Sequence, residues 1–190
     1  MRAARVVTAI VICLAVGFVA GFKTALVREH SRLERNKQIV SRMLTEVWSN
    51  PDTNAALKVA DELFASDFVL HDWTGDTHGR ENHKKGIAEN RLTSPDWNEQ
   101  ALDMVAEGEK VVVRSLSTGT MKRDIPAIPG YQPVLPATGK FIRFPELAVF
   151  RFVNGKLAEQ WDFADNWGAN VQAGLIDPDK MSFPLNSACE

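Results

Sequence analysis

FIRFPELAVFRFVNGKLAEQWDFADNWGANVQAG, residues 141–174, reads as a strand, a tight turn, a second strand ending in an acid, and a capping helix. Its two apolar runs are separated by Asn154-Gly155, the dipeptide that best tolerates the positive φ of a type I′ turn, so the spacing predicts an antiparallel hairpin. Strand side chains alternate faces. The parity Leu157, Glu159, Trp161, Phe163, Asp165 predicts the buried face of the second strand, with Ala158, Gln160, Asp162 and Ala164 on the other. Glu159 and Asp165 are then carboxylates on a mainly apolar surface, where a solitary charge is costly unless it is paired or lines a wet cavity. Each has a plainer reading. Glu159 pairs with Arg143 or Arg151, and Asp165 caps the helix that begins at Asn166 or Trp167.

Outside this stretch, composition sets bounds. The 22 basic and 24 acidic residues of the 190 leave a formal charge of −2, and the basic ones are dispersed, which argues against nucleic acid as a partner. The length suits one globular domain with a proper core and an N-terminal appendage. Cys13 and Cys189 form no disulfide framework, and neither has a histidine neighbour in sequence that would make it a nucleophile.

Val6 to Phe22, VVTAIVICLAVGFVAGF, is an uncharged apolar run behind Arg2 and Arg5, at the lower limit for spanning a bilayer. Its length favours an uncleaved anchor over a secretory signal peptide, and the cleavage options after Ala20 or Gly21 are mediocre. The expected placement is a domain held at a membrane outside the cytosol, or secreted or periplasmic if the segment is cleaved.

From Asn36 to Trp48 the apolar positions Ile39, Val40, Met43, Leu44, Val47 and Trp48 make one helical stripe, which Arg28–Arg35 extends as a charged stalk. Ser49-Asn50-Pro51 predicts the start of a second helix, with Pro near its first position. Asp67–Trp73 is β-prone, and His71 shares its parity with Val69 and Trp73. His71 is therefore either a hydrogen-bonded core residue or an acid or base near neutral pH, and Asp72 beside it is either a site residue or a loop cap. His78 and His83 show no metal-ligand spacing, so no metal site is expected. Residues 79–92 predict a polar helix at a pocket mouth, and 101–120 a hairpin whose Val111-Val112-Val113 run is interrupted by Arg114. That arginine either pairs on the sheet surface or anchors a ligand oxygen. Pro126, Pro129, Pro133 and Pro136 mark 122–140 as a long loop.

The ordered set DFVLHD (67–72), DMVAEGEKVVVR (103–114), Gly119-Thr120, PATGK (136–140) and RFVNGKLAEQW (151–161) through Asp165 resembles the SnoaL-like polyketide cyclases, or ester cyclases, of the NTF2-like superfamily. The resemblance implies an α+β fold, an NTF2-like cone whose curved antiparallel sheet wraps around three helices, here preceded by an N-terminal hydrophobic helix. The divisions are residues 1–35 as anchor or signal with its stalk, 36–176 as the domain, and 177–190 as a tail. It further implies cofactor-free acid/base chemistry, such as aldol cyclisation, isomerisation or dehydration, on a hydrophobic carbonyl compound. By motif position Asp165 is the proton carrier, with Asp162 replacing it if a bulge slips the strand, and His71 is its partner. Arg114, Glu159, Gln160, Trp161, Trp167 and Asp72 are the expected ligand contacts. The alternative is a non-catalytic domain that binds a small apolar molecule at a membrane surface or pairs with a second copy of itself through the sheet.

Overall fold

The computed structural model describes residues 2–130 and 132–180, and the backbone alone for residues 2–20 and 22. Helix α1 (Arg2–Arg42) runs directly into a π-helical turn, Met43–Trp48. The expected anchor or signal, Val6–Phe22, lies outside the residues described with side chains, Gly21 apart, as do Cys13 and Cys189. Among the described residues no helix is long and apolar enough to cross a membrane. The expected stripe is in place: Val40, Met43, Leu44 and Val47 are buried. Helix α2 (Thr53–Leu63) is capped by Asp52, whose carboxylate accepts from the Ala55 amide at 3.1 Å. Pro51 thus precedes the cap and does not occupy the first turn as the sequence predicted, because the Asp carboxylate satisfies an otherwise orphaned helix amide.

The chain then forms β1 (Phe64–Asp72), β2 (Gly75–His78), α3 (Arg80–Thr93), β3 (Asn98–Glu107), β4 (Lys110–Thr120), β5 (Phe141–Val153), β6 (Lys156–Ala164) and α4 (Asn166–Ala173). Asn154 and Gly155 have φ of 51° and 75°, the left-handed conformation the hairpin turn between β5 and β6 demands. The six strands form one sheet in the order β2-β1-β6-β5-β4-β3. The sheet is mixed and not wholly antiparallel as expected, because β1 lies parallel to β6. A parallel neighbour needs a long crossover, and everything between β1 and β6 provides it.

Helices cover one face of the sheet. Val40, Met43, Val47, Phe64, Phe68 and Ile87 meet Val111, Val113, Phe150, Phe152 and Leu157 in the main core. Helix α4 closes one end over Met121, Ile142 and Phe144.

One irregularity decides what the covered face contains. Across the last hairpin Phe152 pairs with Leu157, but Arg151 pairs with Glu159, so Ala158 is an extra residue on β6. Such a bulge reverses the parity of all that follows. Leu157 points inward before it, and Gln160 after it, while Phe163 is 62 % exposed. The buried parity expected from the sequence, Glu159, Trp161, Phe163 and Asp165, therefore holds only at Leu157.

Candidate active site

The inner face of the sheet carries three carboxyls into one space. On β5, Glu146 shares its parity with buried Ile142, Phe144, Ala148, Phe150 and Phe152. Asp162 reaches the same face because of the Ala158 bulge. Glu99 sits near the start of β3, where its backbone N–H donates to Ser49 Oγ at 2.9 Å and ties the strand to the end of the π-helical turn. Glu99, Glu146, Asp162 and Gln160 line a chamber of ≈ 150 Å³ with Trp48, Trp97 and Phe150. The π geometry, uncommon and concentrated at functional positions, also presents Met43 and Leu44 there.

Arg91, at the end of α3, fixes the rim. Its guanidinium donates to the carbonyls of Pro95 at 3.2 Å and Trp97 at 3.1 Å, and also to that of Trp48. Gly119 permits the same packing, since a Cβ there would stand 2.9 Å from the Trp97 ring and 3.3 Å from Ser94 Cβ.

Burial disfavours the charged form of each acid, and the acids repel one another. Glu99 is pushed well above the usual carboxylate range by burial and by the charges of Glu146 and Asp162, although Trp97 Nε1 donates to it at 3.0 Å and Arg91 opposes the shift. Glu146 is pushed up to about 7 by burial and then by Asp162, against one hydrogen bond from Ser117 Oγ at 2.6 Å. Asp162 is raised to about 6 by burial and then by Asp72. Three carboxyls with staggered affinities for protons can divide acid and base roles near neutral pH.

The chamber shares Asn90 and Trp97 with an outer vestibule of ≈ 590 Å³. Ile125, Ile128 and Leu135 of the 122–140 loop line it together with Trp167. Within that loop, bridges Ile125–Leu135 and Ile128–Gln132 give it an ordered core. A smaller opening lined by Asp72, Trp73, Asp162 and Asn166 gives Asp162 a second border.

Of the residues singled out from the sequence, Asp162, Gln160, Asp72 and Trp167 border these spaces. Asp72 also takes the loop role, since its Oδ1 accepts from the Thr74 amide at 2.7 Å and the Thr74 hydroxyl at 2.5 Å. The rest sit elsewhere. Phe68 is the buried residue of the middle of β1, which leaves His71 on the opposite parity: it stacks on Trp161 at 5.0 Å and contacts Asp76 Oδ1 at 2.8 Å through Nδ1. Glu159 pairs with Arg151 through two 2.8 Å hydrogen bonds, and Arg114 pairs with Asp103 at 2.6 Å. Asp165 is exposed and caps α4, accepting from the Gly168 amide at 2.8 Å. Asp165→Ala is accordingly expected to cost about 1 kcal/mol in urea unfolding and to leave chamber ligands bound with unchanged affinity. Weakened binding in that variant would return Asp165 to the site.

His83 is a core residue. Its ring packs against Phe64 and Phe68, and burial lowers its pKa to about 4, so it is neutral at physiological pH. Among the described residues no group of three or more His, Cys, Asp and Glu is placed to hold a metal ion.

Glu99 and Glu146 were not singled out from the sequence. The even parity of Ile142 to Phe152 contains the signal for Glu146. Glu99, between Asn98 and Gln100, has none.

A mixed sheet with helices on one face and acids inside it defines an NTF2-like pocket protein. The sequence matches the SnoaL-like polyketide cyclases over residues 38–173, and the chain belongs to that family. Solved structures agree in fold. TsrD from Streptomyces laurentii is 22% identical with a TM-score of 0.63, covering 75% of this chain and 97% of its own. A protein assigned to the SnoaL-like polyketide cyclases from Jannaschia sp. CCS1 is 19% identical with a TM-score of 0.65, covering 76% and 94%. One assigned as a polyketide cyclase from Acidithiobacillus ferrooxidans is 28% identical with a TM-score of 0.61, covering 75% and 96%. None of the curated proteins matches the chain.

Proposed function

We propose that this protein carries out cofactor-free acid/base catalysis, an aldol cyclisation, isomerisation or dehydration, on a hydrophobic carbonyl compound. The observation that carries this reading is Asp162, a carboxyl raised to about 6 that borders both the chamber and the smaller pocket beside Asp72. A base of that strength is mostly ionised at neutral pH and still takes a proton well. In this proposal Asp162 has the proton-carrying role that family resemblance gave first to Asp165. Glu99, held protonated by burial, donates a hydrogen bond to the oxygen on which enolate charge develops. The apolar vestibule holds the body of the compound.

The test is ligand recovery by native mass spectrometry, followed by incubation of that compound with the protein in D2O. Deuterium entering the carbon next to its carbonyl supports the reading. A recovered ligand that never exchanges or reacts favours a binding domain.

The same proposal includes a second copy of the chain on the outer sheet face, where exposed Leu147 and Phe163 pair in register, and a membrane contact outside the cytosol through Val6–Phe22. Sedimentation as a monomer at micromolar concentration argues against the first, and full recovery in the soluble fraction against the second.

A further inference from the structure

We propose that Asp72 is a positioning residue for the reaction: its carboxylate stands as a fixed anion beside Asp162 and makes that acid readier to take a proton. The inference rests on Asp162 being the proton carrier, as proposed above.

Strand order brings the two acids together. β1 and β6 run parallel, with Leu70 opposite Gln160 and His71 opposite Trp161. Asp72 and Asp162 are the next residues of the two strands, so their backbones lie roughly 5 Å apart and their side chains leave the sheet on one face. Both line the small pocket that also contains Trp73 and Asn166. From there Asp162 reaches the chamber, and Asp72 the vestibule.

The loop that follows β1 holds Asp72 in place. Its Oδ1 accepts from both the amide and the hydroxyl of Thr74, which ties the carboxylate to the turn between β1 and β2. No lysine, arginine or histidine lines the chamber, the vestibule or the small pocket, so no cation in these walls offsets its charge. Like charges side by side on neighbouring strands are destabilising, and a proton on one of them relieves the repulsion. Asp162 is the one that takes it, raised first by burial and then by Asp72.

The other titratable groups that face Asp162 are Glu146 on β5 and Glu99 on β3. Both hold protons into the neutral range, so their repulsion is weak where Asp162 titrates. The helices border its two pockets with uncharged residues only, Asn90 and Asn166 among them.

Asp72→Asn separates charge from loop structure, because an amide oxygen can still accept both Thr74 bonds. Carbon-13 NMR of the side-chain carboxyls on the full chain follows the titration of Asp162, whose signal is assigned by its loss in Asp162→Asn. The midpoint is expected to fall by at least about half a pH unit in Asp72→Asn, and the rise of turnover with pH should move down with it. Thr74→Ala, which loosens the loop and keeps the charge, should leave the midpoint in place, as should Asp72→Glu. The remaining carboxyl signals report whether each variant is folded. An unmoved midpoint in Asp72→Asn overturns the inference and leaves the role of Asp162 standing. So does an equal fall in Thr74→Ala or Asp72→Glu, where the charge remains. Failure of the Asp162 reading itself is seen separately, as full turnover in Asp162→Asn.

Discussion

Asp162→Asn is expected to lower turnover of the recovered ligand by about 10²–10⁴-fold while its affinity changes little. The substitution keeps the shape of the side chain and removes the group that accepts a proton. The ionised carboxyl must exist at working pH, so activity in the unaltered protein should rise with pH through about 6, where Asp162 gives up its proton. Asp165→Asn is the matched control: the same chemical change at the α4 cap should leave turnover unaltered. Full turnover in the Asp162 variant with binding intact would remove Asp162 from the mechanism, and a loss confined to the Asp165 variant would exchange the roles.

The second large effect is on stability. Glu146 takes up its proton at about 7 in the folded chain, against an ordinary value near 4.5. Below 4.5 it is protonated whether the chain is folded or not. Between 4.5 and 7 the folded state keeps a proton that the unfolded state has released, so stability falls as pH rises across that window and the loss is complete above it. A displacement of this size corresponds to on the order of 3 kcal/mol. Glu146→Gln, which is uncharged in both states, should therefore stabilise the protein by about that amount at pH 8 in urea titrations. At pH 4 it should change little. Asp162 shifts in the same direction, so the variant still loses some stability on alkalinisation. An equal effect of the substitution at both pH values would mean that Glu146 is ordinarily hydrated.

Local chemistry was readable from sequence where one residue type has one physical use. Asn154-Gly155 set the hairpin, and the alternative readings of Asp165 as a cap and of Glu159 as the partner of Arg151 describe their observed contacts. The family was legible from an ordered set of short motifs, though none was decisive alone. The chamber was harder to read because its acids come from β3, β5 and β6, and their meeting depends on strand order. Glu146 was accessible by parity. Asp162 required knowledge of the extra residue at Ala158, and nothing in the alternation of Lys156 to Ala164 locates a bulge before its partner strand is known. The parallel pairing of β1 with β6 was hidden for a related reason, since the segments are remote in sequence and neither records its neighbour.

The extra residue at Ala158 has a bearing on how relatives are compared. A chain lacking it would hold each downstream side chain on its present face, but one position earlier in the count. Columns matched without a gap at that point would equate residues on opposite sides of the sheet. Active-site inheritance in this part of the family is therefore better traced by superposed backbones than by identical letters.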